Sequence, residues 1–142
     1  MLKFLLITCV MSGQFVGQQD TSATDPFYKV GNGRVNVCDL DAPSVPEFVE
    51  QLESDSSFDE KEGDAEYRVF LRQDDGRIRQ VVVERDPARH GMATCRDVVQ
   101  TDDGSLHNRR TMNCFYSRET CDEIFLKFKQ LDEALTRTLN NR

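Results

Sequence analysis

Between Tyr67 and Tyr116 apolar and polar side chains alternate in short runs, and the alternation is broken twice by the same tripeptide, Asp-Asp-Gly. The first break divides Tyr67–Gln73 from Arg77–Val83, and the second divides Cys95–Thr101 from Ser105–Cys114. A β-rich run that resumes at once after a glycine-containing turn predicts a hairpin, so two are expected here. With Asp74–Gly76 as a three-residue loop, Leu71 faces Arg79, Val69 faces Val81 and Tyr67 faces Val83, which gathers apolar side chains on one face. A two-residue turn would oppose Tyr67 to Glu84 and Leu71 to Gln80 and scatter that face. The three-residue register is therefore the expectation. It leaves Phe70, Ile78 and Val82 on the other side beside Arg68, Arg72 and Gln80, a face that something should partly cover.

The same loop at Asp102–Gly104 opposes Thr101 to Ser105 and Cys95 to Thr111. Cys114 then points to the opposite face from Cys95. A disulfide needs Cα atoms within about 7 Å and converging Cβ directions, so these two should not join.

Helical periods flank this region. Ser44-Val45-Pro46-Glu47 has the form of a capping box, with Pro tolerated in the first turn. Val45, Phe48, Val49 and Leu52 follow at i, i+3, i+4 and i+7, predicting a short amphipathic helix that ends near Ser54. After the N-cap candidate Ser117, Cys121, Ile124, Phe125, Phe128, Leu131, Leu135 and Thr138 keep the helical period over about 118–139. That stripe is expected to pack on the sheet, which needs a cover. Nearer the N-terminus, Asn32-Gly33 between alternating apolar residues predicts a third hairpin, opposing Val30 to Val35 and Tyr28 to Val37. The fold class expected is α+β: an antiparallel sheet of three hairpins in the order ββ-α-ββββ-α, with the short and the long helix packed on it.

Met1-Leu2-Lys3 followed by the apolar run Phe4–Met11 has the form of a signal peptide. The run is far shorter than the roughly 20 residues of a membrane span. Cleavage is expected between Ser12 and Gln18, dividing the chain into a leader (1–18), a flexible tail (19–26) and one domain (27–142). Losing the leader removes Cys9 and leaves Cys38, Cys95, Cys114 and Cys121, an even set in a secreted chain and hence two disulfides. The opposed faces leave two connectivities open, 38–95 with 114–121 or 38–114 with 95–121. Close-set Cys pairs of the kind zinc uses are absent from the sequence, and neither a metal nor another cofactor is expected. Asp55, Ser57, Asp59 and Glu66 fall at calcium-loop positions, but Glu60 stands where that loop needs glycine. The segment 54–66 reads as a solvated acidic loop.

The 142-residue chain carries a net charge of −7, which disfavours binding to nucleic acid or anionic membrane through bulk charge. The charge is uneven. Residues 39–66 hold eleven acids and one lysine, whereas residues 67–110 hold nine arginines and seven acids.

Catalytic constellations are hard to assemble. Arg89-His90-Gly91 resembles the Arg-His-Gly of histidine phosphatases, where the histidine accepts the phosphoryl group. That family carries the motif after its first strand, in a much larger α/β domain, so the tripeptide reads as a linker here. The strand–helix–meander order resembles the cystatin fold, but the family's Gln-x-Val-x-Gly hairpin is missing and the chain has no Trp. Nothing singles out a serine nucleophile or a carboxylate pair, and no enzyme activity is expected. The function expected is a secreted binding protein, inhibitor-like or a carrier of a small ligand, whose partner is an extracellular protein or small molecule. Its candidate surface is Arg68, Arg72, Arg77 and Arg79 with Phe70, since Arg and aromatic side chains concentrate at binding hot spots. The competing reading, of equal weight, is that the same arginines answer the acidic 39–66 segment. The alternative function is a small secreted hydrolase using His90 or His107.

Overall fold

A computed structural model describes residues 28–30, 33–86 and 91–141. The leader, the tail and His90 lie outside the described residues. The elements are β1 (Tyr28–Val30), β2 (Val35–Val37), β3 (Leu40–Ala42), α1 (Val45–Ser54), β4 (Asp59–Lys61), β5 (Tyr67–Asp74), β6 (Arg77–Glu84), β7 (Met92–Gln100), β8 (Leu106–Cys114) and α2 (Arg118–Asn140). The main sheet has six strands in the order β1-β8-β7-β6-β5-β4, and β2 and β3 form a separate ribbon. All pairings in the main sheet are antiparallel except β1 with β8, which run parallel.

Three layers result. Phe70, Val81, Val83, Ala93 and Cys95 of one sheet face pack against α1 and the β2–β3 ribbon, through Phe48, Leu52, Val35 and Val37. Val82, Met92, Met112 and Cys114 of the other face pack against Cys121, Ile124, Phe125 and Phe128 of α2. The two disulfides follow the same division. Cys38–Cys95 fastens the ribbon to the first face with a Cα separation of 5.7 Å, and Cys114–Cys121 fastens α2 to the second with 5.8 Å. The first of the two connectivities left open by the sequence is the one present.

α1 forms as its sequence predicts. Ser44 is the N-cap, its Oγ accepting from the Glu47 amide at 3.3 Å, and Val45, Phe48, Val49 and Leu52 are buried. The capping box is incomplete: Glu47 Oε2 accepts from the Ser44 hydroxyl at 3.0 Å.

The β7–β8 hairpin has the expected register, with Cys95 opposite Thr111. Its loop closes through Thr101 N to Ser105 O (2.9 Å) and Gly104 N to Thr101 O (2.8 Å), with Gly104 at φ 81°. Asp103 accepts from Thr101 Oγ1 and from the Ser105 amide, and these bonds hold its carboxyl down at about 2. The β5–β6 hairpin does not follow. The loop there has two residues, Asp75-Gly76, and Tyr67 stands opposite Glu84 and Leu71 opposite Gln80. The three-residue expectation maximised one apolar face, which suits a sheet wet on its other side. This sheet is covered on both, so Phe70 with Val81 and Val69 with Val82 serve different layers.

Three further expectations are corrected. The Asn32-Gly33 hairpin is replaced by the β2–β3 ribbon, turned at Cys38-Asp39 with φ of 55° and 61°. Two successive left-handed residues are what a type I′ turn requires, and here a disulfide and contacts from Arg77 and Arg79 to Asp39 hold them. Tyr28–Val30 pairs instead with Met112–Cys114. The acidic segment 54–66 is not merely solvated loop: Phe58 is buried and Asp59–Lys61 is a sheet strand. Finally, the burial stripe of α2 continues through Asp132 and Thr136, while Leu131 and Leu135 are exposed.

Candidate functional site

The five residues nominated from the sequence do share one face, because the two-residue turn gives Arg68, Phe70 and Arg72 the same orientation as Arg77 and Arg79. They are engaged within the molecule. Phe70 is 2% exposed at the centre of the core. Arg68 donates to Glu60 at 2.8 and 2.9 Å and to Glu53 at 2.8 Å, tying α1 and β4 to the sheet. Arg77 grips Asp97 bidentately at 2.8 and 2.6 Å and reaches Asp39. These bonds raise the pKa of Arg68 and Arg77 and lower those of Glu60 and Asp97. Arg72 bridges to Asp74 and lies over the Phe58 ring, while Arg79 lies within 4.0 Å of both Asp39 and Asp74. The acidic 39–66 segment thus supplies several of the counter-charges.

Arg89-His90-Gly91 contributes a structural glycine. A Cβ on Gly91 would fall 2.0 Å from the Tyr116 ring, and the Gly91 amide donates to Glu84 Oε2 at 2.8 Å. Tyr116 Oη donates to the same carboxylate at 2.7 Å.

The feature that sequence reasoning missed is the edge of β8. β1 covers only Met112–Cys114, and among the described residues no strand pairs with the outer side of Leu106–Thr111. The ladder fixes which groups face outward. Thr101 N to Ser105 O and Phe115 N to Gly91 O lie at the two ends of an unbroken register, so odd-numbered residues of β8 bond to β7. Leu106, Asn108 and Arg110 therefore present their backbone N–H and C=O to the open side.

A cleft of about 1160 Å³ runs along this edge, walled by β8 and by α2. Val99, Leu106 and Phe125 give it apolar lining. His107, Arg109, Lys129 and Arg137 bring cationic or titratable groups, against Asp97, Asp132 and Glu133. Two of those acids are committed elsewhere, Asp97 to Arg77 and Asp132 to Arg110. Among the described residues Arg109 and Lys129 have no ion pair within 4.0 Å. Asn108 donates to Thr136 Oγ1 at 3.3 Å, and its buried Oδ1 has no donor.

The floor of the cleft is a buried ion cluster. Arg110 donates to Asp132 at 2.5 and 2.8 Å and to Thr94 Oγ1 at 3.0 Å, and its guanidinium lies 4.6 Å from the Phe128 ring centroid. Arg96 stands 3.8 Å from the same carboxylate. Burial pushes the Arg96 pKa down, opposed by Asp132 and reinforced by Arg110. No group of three or more potential metal-ligating side chains occurs among the described residues, and no described helix is long and apolar enough to cross a membrane. Comparison with protein-family models, with curated proteins and with solved structures finds no match to this chain.

Proposed function

We propose that this is a secreted, disulfide-stapled binding protein that captures an extended, acidic peptide segment of an extracellular partner by strand addition at β8. Strand addition takes its affinity from main-chain hydrogen bonds and its selectivity from flanking side chains. The open backbone of Leu106, Asn108 and Arg110 beside a strand-sized cleft is the observation that carries the reading. The cations on the rim favour aspartate or glutamate in the ligand and disfavour self-pairing of β8, which would bring Arg109 and Arg110 of two copies together. The apolar leader at residues 4–11 and the two disulfides support an extracellular setting.

The test is titration with a ten-residue peptide alternating aspartate with valine and threonine, against a control in which lysine replaces aspartate. Amide shifts of Leu106, Asn108 and Arg110 should move with the acidic peptide and far less with the basic one. Asn108→Pro, which removes an outward N–H and leaves the β7 ladder its donors, should abolish binding. Replacing both histidines (His90→Ala with His107→Ala) should leave peptide binding within about threefold, whereas the alternative hydrolase would lose activity. Equal response to both peptides, or unperturbed β8 amides, would sink the proposal.

A further inference from the structure

Arg109 and Arg110 are consecutive in β8 and therefore point to opposite faces of the sheet. Arg109 stands opposite Asp97 on the ribbon face, whereas Arg110 lies on the other face and bonds to Asp132 of α2. The residue of an added strand opposite each arginine shares that arginine's face, whichever direction the strand runs. We infer that the captured segment carries two consecutive acids, one opposite Arg109 and the next opposite Arg110. β8 thereby selects paired acids over acids spaced along one face, and Arg109 and Lys129 set that preference. The inference rests on the strand-addition reading above and names the class of segment it takes.

Each face is short of a carboxylate at this level of the sheet. On the ribbon face, Asp97 is the cross-strand neighbour of Arg109, but Arg77 holds both of its oxygens at 2.8 and 2.6 Å. Arg109 is exposed and has no ion pair among the described residues. On the α2 face, two guanidinium groups, Arg96 and Arg110, share the single carboxylate of Asp132, and the buried Arg96 Nε has no acceptor. Lys129 stands on the cleft wall one helical turn before Glu133, exposed and likewise unpaired among the described residues. Glu133 offsets one of these positive charges, and the surplus guanidinium keeps the balance positive. Opposite charges across a ladder attract. A segment with acids at every second position puts them all on one face and meets only Arg109 or only Lys129. Adjacent acids meet both. A slip of one residue would move one of the pair opposite Thr111 or Asn108, so the pair also sets the register.

Two ten-residue peptides of identical composition test the inference, one with two aspartates adjacent at its centre and one with a threonine between them. At low ionic strength the paired peptide should bind at least about fivefold more tightly. Arg109→Gln and Lys129→Gln change exposed side chains, and each should reduce that preference to within about twofold. Lys127→Gln, which changes an exposed lysine of α2 outside the cleft lining, should leave the preference intact. Equal affinity for the two peptides, with the Leu106, Asn108 and Arg110 amides shifting in both titrations, would overturn the paired-acid inference and leave strand addition standing. A preference that survives both cleft substitutions would overturn it as well. If neither peptide moves those amides, the strand-addition reading falls and takes this inference with it.

Discussion

Replacing Asp132 by alanine isolates what holds the C-terminal half of α2. The first half is fixed by a disulfide and aromatic packing, but beyond Phe128 the inward side chains among the described residues are Asp132 and Thr136. The Asp132 carboxylate is the counter-charge for two arginines whose side chains are 7% and 16% exposed. Removing it strands both guanidinium groups in a low-dielectric site and sets them against each other. Breaking a buried pair from one side costs about 3–5 kcal/mol, set against total stabilities of roughly 5–15 kcal/mol. With a urea slope near about 1.5 kcal/mol/M, the midpoint should fall by about 2–3 M. The triple variant Asp132→Leu, Arg96→Met, Arg110→Met should recover most of that loss, because apolar groups of similar volume need no counter-charge. Urea unfolding followed by far-UV circular dichroism measures both. A cost below about 1 kcal/mol for Asp132→Ala would refute the reasoning and mean that water reaches the cluster.

Gly91→Ala should destabilise by about 1–3 kcal/mol or more, since the added methyl meets the Tyr116 ring; Tyr116→Leu in the same chain should relieve part of it, read by thermal unfolding. Separate removal of the disulfides should be unequal. In the chain-entropy model the 57-residue separation of Cys38–Cys95 corresponds to about 4 kcal/mol and the 7-residue separation of Cys114–Cys121 to about 2 kcal/mol, so Cys38→Ala/Cys95→Ala should give the lower urea midpoint. Acid should weaken the fold: Asp97, Glu60 and Asp103 have lowered pKa values, so their contributions are present above the ordinary carboxyl range and are lost as pH falls through the lowered values, about 2 for Asp103. A thermal midpoint that stays constant from pH 6 to pH 2 would contradict this.

Local signals were readable where a single physical rule decides. Ser44 and the 45-48-49-52 spacing define α1 because capping and amphipathicity act within one element. The parity of Cys95 and Cys114 excluded their pairing because the Thr101, Asp103 and Ser105 side chains favour one loop form. Failures came where tertiary context chooses. Val35–Val37 alternates equally well beside Tyr28–Val30 or Leu40–Ala42, and contacts distant in sequence, the Cys38–Cys95 link and the Arg77 and Arg79 contacts to Asp39, hold the turn that pairs it with the latter. The β5–β6 register depended on knowing that both faces are buried. Leu131 and Leu135 fit the helical period, yet the sheet beneath that end of α2 offers Arg110 and Arg96, which draw Asp132 inward. The β8 edge was invisible because no sequence pattern says where a neighbouring strand stops. The arginines looked like a partner surface for a good reason, but their acids lie elsewhere in the same chain.

The two margins of the sheet are not equivalent. β4, the far margin, is three exposed residues, Asp59, Glu60 and Lys61, too short and too charged to template another strand. Under the strand addition proposed above, each molecule would take up its segment at β8 and leave the β4 margin unused. Stoichiometry should stop at one to one, and a target displaying many such segments would be coated without being cross-linked.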